Sequence, residues 1–295
     1  MSNIAAIDAG SNAIRMVVGE LDDAWNVSPL ENIRLPVRLG EDVFSKGYLE
    51  EKTIRQAEEA FLHFKRIAEN YDVHYLQAVA TSAVREAKNG AVLLERITSV
   101  SGIQLKLISA EEEARLIHQA VVHALDLKNK RTLLIDIGGG SVEVTTSTGQ
   151  NIISTDSYNL GTVRLLEKLN GEGISPETFS KLVQEYAEAA RYRIEKDIGR
   201  GKIQLCVGTG GNVEEIGRLR QRLFKGENDR LVTLDELKEL IRRFSSLSYK
   251  DRIQKWKLRP AKFSNDGIAF CVIYQLLEVD HSAILSDTVH LLETS

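Results

Sequence analysis

This chain is poor in cysteine and lacks long apolar runs and a large excess of charge of either sign. Only Cys206 and Cys271 occur, with no Cys/His cluster at zinc spacing. Neither a disulfide framework nor a structural zinc is expected, and a reducing compartment is. No apolar stretch approaches the roughly 20 residues that span a bilayer. The start, Met1-Ser2-Asn3-Ile4, has no basic segment leading into an apolar one, so no secretion signal is expected. With 38 basic against 42 acidic side chains the net charge is −4, which excludes wholesale nucleic-acid binding by bulk charge. No low-complexity segment interrupts the chain. Hydrophobic residues at 43% and charged residues at 27% are ordinary globular values. The expectation is a soluble, cytoplasmic protein with no nucleic-acid or membrane partner.

What is present is a repeated pattern. A length of 295 residues predicts about two domains. Ile4–Ile7, the turn Asp8-Ala9-Gly10-Ser11-Asn12 and Ile14–Val18 read as strand, tight turn and returning strand. Ile54, Ala57, Phe61, Phe64 and Ala68 form one face of a helix over 51–69. Val73–Ala80 and Ile103–Ile108 read as strands, and Ser109 with Glu112 has capping-box spacing for a helix ending near Ala124. Leu133–Ile135, Asp136–Ser141 and Val142–Thr145 then repeat the first arrangement, with Asp136 standing 128 residues after Asp8. A repeat of that size predicts two related domains, 1–125 and 126–295, joined near the polar Leu127–Arg131. Further on come a helix opened by Ser175-Pro176, a strand Ile203–Val207 and, directly after it, Gly208-Thr209-Gly210-Gly211. Thr233 and Glu236 form another capping box, with Val232 and Leu237 as its staple.

Three glycine-bearing turns thus follow strands. Glycine lets successive N–H groups point into one concavity and cradle a phosphate. The candidate phosphate contacts are Gly10, Ser11 and Asn12, then Gly138, Gly139, Gly140 and Ser141, then Gly208, Thr209 and Gly210. Asp8 and Asp136 each end an apolar strand, where a bare carboxylate is costly to bury. A Mg²⁺ ion bridging them to phosphate oxygens would offset that cost; the alternative is that each caps its own turn. Glu143 shares a strand face with Ser141, beside the loop, and reads either as a site residue or as an exposed strand carboxylate.

On the helix after Ser109, the stripe Leu116, Ile117, Ala120, Val121 and Ala124 extrapolates back to Glu113. Glu111 is expected to pair with Arg115, and Glu112 to serve the capping box. A carboxylate pointed inward is partly desolvated, which raises its pKa toward that of a general base. The alternative is an acid that complements the helix dipole. Arg85, just past Val73–Ala80, reads as a bidentate phosphate ligand or as a surface arginine. The six histidines, His118 and His123 among them, show no ligand spacing and read as structural or solvated. No histidine neighbours either cysteine, so no thiol nucleophile is indicated.

Together these segments resemble the exopolyphosphatase / guanosine pentaphosphate phosphatase family, within the actin, hexokinase and heat-shock ATPase superfamily. The resemblance is carried by Ala6–Asn12, Val37-Arg38-Leu39-Gly40, Ala80–Arg85, Ser109–Leu116 and Ile135–Glu143. It implies an α/β fold of two ribonuclease-H-like domains, mixed sheets flanked by helices, with an active site in the interdomain cleft. It further implies Glu113 as the base that activates water, and Asp136 and Glu143 as metal and water positioners. Arg85 would hold the phosphate chain. The implied cofactor is Mg²⁺ or another divalent cation, and the substrate inorganic polyphosphate, with guanosine pentaphosphate as the alternative. A non-catalytic phosphate or nucleotide sensor is a third reading, and a homodimer is left open. The family's Ser-Asp-Gly-x-Arg-Glu-Gly-like stretch is replaced here by Ser286-Asp287-Thr288-Val289-His290-Leu291-Leu292, and without the third, helical domain of longer relatives these residues read either as a short two-domain member or as a fragment. Residues 200–262 carry 16 Lys and Arg against 8 Asp and Glu, including Arg218, Arg220, Arg222, Lys225, Lys250, Arg252, Lys255, Lys257 and Arg259. That segment reads as a guide for a polyanion or as solvated helix faces.

Overall fold

A computed structural model describes residues 2–172, 202–211, 213–224, 230–246 and 288–292, with single positions 181, 185, 188, 192, 196 and 254. The chain divides into two compact units, Met1–Ala110 and Glu111–Thr294.

In the first unit, period-two alternation sets the sheet. Strand β1 (Ser2–Ala9) buries Ala5, Ile7 and Ala9 and exposes Ala6 and Asp8. It pairs antiparallel with β2 (Ile14–Leu21), which pairs antiparallel with β3 (Val27–Leu35). Helices α1 (Leu39–Lys46) and α2 (Glu51–Asn70) lead to β4 (Val73–Ala80), parallel to β1 on its other side. Helices α3 (Ser82–Glu86) and α4 (Gly90–Ser101) lead to β5 (Leu105–Leu107). The predicted strand Ile103–Ile108 pairs only over those three residues. The order is β3-β2-β1-β4-β5. Ile54, Ala57, Phe61 and Phe64 of α2 and Leu93 and Ile97 of α4 pack on Ile7, Ile14 and Met16. Each of these fully buried large side chains contributes about 1.5–3 kcal/mol. Ala6, Asp8, Tyr75 and Gln77 on the opposite face are exposed.

The second unit opens with α5 (Ala110–Ala124), followed by the meander β6 (Arg131–Ile137), β7 (Val142–Thr148) and β8 (Asn151–Tyr158). Next come α6 (Thr162–Glu172), β9 (Leu205–Thr209), α7 (Val213–Phe224), β10 (Leu231–Thr233), α8 (Leu234–Ser246) and β11 (Thr288–Leu292). The sheet order is β10-β11-β9-β6-β7-β8. With β6, β7, β8, β9 and β11 standing for β1 to β5, it repeats the first sheet and adds β10 at the edge. The Thr233–Glu236 capping box forms in both directions: the Thr233 N–H donates to Glu236 Oε2 (2.9 Å) and the Glu236 N–H to Thr233 Oγ1 (3.1 Å). Val232 and Leu237, its staple, are both buried.

Three local expectations shift. Strand β9 begins two residues later than predicted, so Gly208 and Thr209 are strand residues and the turn starts at Gly210. The stripe of α5 is rotated: Ala114, His118 and Val121 are buried, while Leu116 is 40% exposed and Ala120 and Ala124 are also exposed. Val121 docks on Leu134, Leu205 and Val207, and that contact, with few apolar residues to choose from, sets the helix rotation. Arg115 pairs with Glu112, through Nε and Nη2 at 2.7 Å each, rather than with the expected Glu111. The Ser175-Pro176 helix start, Cys271, Lys225 and the cluster from Lys250 to Arg259 lie outside the described residues.

Candidate active site

The antiparallel pairing of β6 with β7 sets Asp136 directly opposite Glu143, and the parallel pairing with β9 sets Thr209 on the other side of Asp136. Cross-strand partners share a sheet face, so two carboxylates and a hydroxyl lie in one row. Asp136 is 7% exposed and Glu143 2%. The Thr209 hydroxyl donates to Asp136 Oδ1 (2.5 Å), and the Ser157 hydroxyl on β8 donates to Glu143 Oε1 (2.8 Å). Glu143 is therefore not an exposed strand carboxylate. Two adjacent buried carboxylates repel each other unless positive charge comes between them. This donor set fits a small hard cation, since Mg²⁺ takes one or two carboxylates and completes its shell with phosphate and water oxygens. Among the described residues no three His, Cys, Asp or Glu side chains gather into a metal cage.

Asp136 lies two residues beyond Leu134, so it shares the face on which α5 packs. Helix α5 is joined to β6 by a short link and packs on that sheet through Ile117 and Val121. Glu113 stands one turn before Ile117, which packs against the same cluster. Its side chain is half-buried. The structure thus sets Asp136, Glu143 and Thr209 in one row, with Glu113 on the helix that packs on the same sheet of the second unit.

The loop after β6 borders this row. The Gly138 N–H donates to Ser141 O (3.0 Å), closing the turn, and Ser141 is buried. The first turn of α6 donates backbone N–H groups to the carbonyls of Gly138, Gly139 and Gly140. Gly210 holds φ +108°, and a Cβ there would collide with the backbone of Ile137. Only glycine lets this third turn press against the end of β6.

The first unit gathers its own set. Ser11 is buried and its hydroxyl is hydrogen-bonded to that of Ser82 (2.9 Å), while the Gly40 N–H donates to Ser11 O (2.8 Å). Gly10 and Asn12 flank it, partly buried. Arg85 lies on α3 rather than at a bare strand end, and its Nη1 donates to Ile108 O (2.9 Å). Asp8 is exposed and has Arg15 and Val79 as its cross-strand partners. Burial therefore gives no argument for a metal at Asp8, whereas Asp136 is buried.

The remaining titratable groups fit structural roles. His118 is 3% exposed, and its burial pulls its pKa below the ordinary value. Burial pushes the Cys206 thiol up to about 12, which leaves no thiolate nucleophile near neutral pH. In the basic segment, Arg220 pairs with Glu236 (2.8 Å) and Arg242 and Arg243 with Glu239 (2.7 and 2.6 Å), while Arg218 and Arg222 are exposed. Ser157, Gly161 and Arg164 were not singled out from the sequence. For Gly161 a signal existed, a glycine directly before the Thr162 that opens an apolar helical run. Ser157 had none, because a register shift at Thr146/Ser147 places it opposite Glu143.

Comparison with known proteins identifies relatives of this arrangement. The family model described as "Ppx/GppA phosphatase family" matches residues 17–289. An exopolyphosphatase from Cytophaga hutchinsonii superposes with TM-score 0.89 at 22% identity, covering 100% of this chain and 95% of that one. A Ppx/GppA family member from Aquifex aeolicus gives TM-score 0.81 at 22% identity over 99% and 94%. The type II variant of the Aquifex aeolicus Ppx/GppA phosphatase gives 0.75 at 22% identity over 99% and 96%. At this identity the structural likenesses establish the shared fold.

Proposed function

Because the chain belongs to the Ppx/GppA phosphatase family, we propose that it hydrolyses the terminal phosphoanhydride bond of inorganic polyphosphate. The observation that carries this reading is the buried row of Glu143, Asp136 and Thr209 at the mouth of a glycine loop. Two buried carboxylates side by side favour a ligand that carries a cation. A phosphate chain arriving with Mg²⁺ brings the cation the carboxylates need and the anion the loop amides accept.

In this reading Asp136 and Glu143 hold the divalent ion, which when bound neutralises charge on the transferred phosphoryl group. Glu113 takes a proton from the attacking water, and the terminal P–O–P bond breaks to release orthophosphate and a chain one unit shorter. The N–H groups of Gly138–Ser141 meet the phosphoryl oxygens, where charge grows in the transition state. Thr209 and Ser157 keep the two carboxylates in orientation. The first unit offers Gly10, Ser11, Asn12 and Arg85 as phosphate contacts of its own.

Phosphate release from polyphosphate and from guanosine pentaphosphate, each with Mg²⁺ and with EDTA, tests the proposal. Mg²⁺-dependent release, faster from polyphosphate, is the expected result. Faster release from guanosine pentaphosphate would transfer the same chemistry to a nucleotide phosphatase. Binding of either compound without release would leave a sensor.

A further inference from the structure

Three glycines in a row leave the peptide planes of residues 138–140 free to rotate, so their orientation has to be imposed from outside the loop. The start of α6 imposes it. The Thr162 N–H donates to Gly138 O (3.1 Å), and those of Val163 and Arg164 to Gly139 O (2.8 and 3.1 Å). Gly140 O receives the Gly161 N–H at 3.3 Å and, much closer, Arg164 Nε at 2.7 Å. All three carbonyls are drawn toward α6. A trans peptide carries its N–H opposite its C=O, so the N–H groups of Gly139, Gly140 and Ser141 turn away from α6 together.

The last of these peptides is the one most weakly held by backbone bonds. Among the described residues its one backbone tie is the long one from Gly161, and its N–H belongs to Ser141, next to the strand that carries Glu143. A second observation points the same way. A Cβ on Gly161 would collide with the backbone of Gly139 and Gly140, so loop and helix start are packed as one piece.

We propose that Arg164 is a positioning residue for phosphoryl transfer: its Nε holds the Gly140 carbonyl so that the Ser141 amide is preset for a phosphoryl oxygen. This rests on the phosphatase reading above. The guanidinium suits the task because Nε is a donor fixed part-way along the side chain, and a charged donor gives a short, strong bond to a carbonyl. Lysine keeps the charge but has no donor at that position.

The test uses the full chain as wild type, Arg164→Met, Arg164→Lys and Gly161→Ala. Circular dichroism first establishes that each variant is folded. With polyphosphate and Mg²⁺, both Arg164 variants are expected to lose about 10- to 100-fold in kcat, with KM little changed, as misplacement of a catalytic donor does. Hydrogen exchange of the segment 138–141, measured without substrate, is expected to be faster in all three variants. Wild-type kcat in folded Arg164→Met would overturn the proposal. So would recovery by Arg164→Lys together with a raised KM in Arg164→Met, since that pattern means direct charge contact with substrate. If wild type hydrolyses neither polyphosphate nor guanosine pentaphosphate, the functional reading falls alone. The clamp is then judged by exchange, and unchanged exchange in Arg164→Met overturns it.

Discussion

Asp8 and Asp136 end equivalent strands, each the first of a three-stranded meander and each followed by a glycine-bearing turn, yet their neighbours differ in sign. Asp8 is exposed and faces Arg15 and Val79 across the sheet. Asp136 is buried and faces Glu143 and Thr209. Opposite charges directly across a sheet stabilise it by roughly 0.2–1 kcal/mol, while like charges there destabilise it. The first aspartate thus has a cation as a cross-strand partner, whereas the second has another buried carboxylate in that place. The layering explains the burial: β1 is covered by helices on one face and alternates, while β6 and β7 are buried almost throughout. A repeated motif thus carries different chemistry in its two copies, because the flanking strands supply different partners.

The largest effect that bears on this contrast is expected at Glu113, on the helix that packs against the second sheet. Glu113→Gln should lower kcat for phosphate release by about 10²–10⁴-fold. Glu112→Gln, which loses a surface pair with Arg115, should leave it near wild type. A fast Glu113→Gln enzyme would remove the base from the second unit.

A direct comparison of the two aspartates comes next. Asp136→Asn should cost about 10²–10³-fold in Mg²⁺-stimulated hydrolysis, and Asp8→Asn distinctly less. In EDTA the two should also move stability in opposite directions. Asp136→Asn relieves the like-charge contact with Glu143 and should raise Tm by a few degrees, about 1 kcal/mol. Asp8→Asn gives up its charge opposite Arg15 and should lower Tm slightly. Equal responses in both assays would erase the distinction drawn between the loops.

The smallest effect concerns the helix that carries Glu113. Burial lowers the pKa of His118 in the folded chain, so below about pH 6.5 the unfolded chain binds this proton more readily. The stabilisation is complete above that pH and declines as pH falls through it. Thermal unfolding of wild type should therefore weaken from pH 7 toward pH 5.5 more steeply than that of His118→Leu. Parallel Tm curves for the two would mean that His118 does not couple folding to pH.

Much of this was legible along the chain. Both strand–turn–strand units, the apolar face of α2 and the Thr233–Glu236 box depend on residues within a few positions of one another, where periodicity and capping act. The same local reach located Gly138–Ser141 and singled out Glu113. The stripe used to orient Glu113 nonetheless included Leu116, Ala120 and Ala124, which the fold leaves exposed. A short helix with few apolar residues admits more than one docking face, and the partner sheet chooses between them.

By itself, then, the sequence determined the elements, their repeat and the loops that end them, because hydrophobic period, turn residues and caps act over single turns and strands. Tertiary structure alone decided which carboxylate is buried beside another, since that follows from strand register. One register shift in β8 brings Ser157, rather than Asp156, opposite Glu143. It also decided that Arg164, 24 residues beyond Gly140, holds that carbonyl. Contacts of this kind join residues distant in sequence, and no local pattern announces them before the sheet has formed.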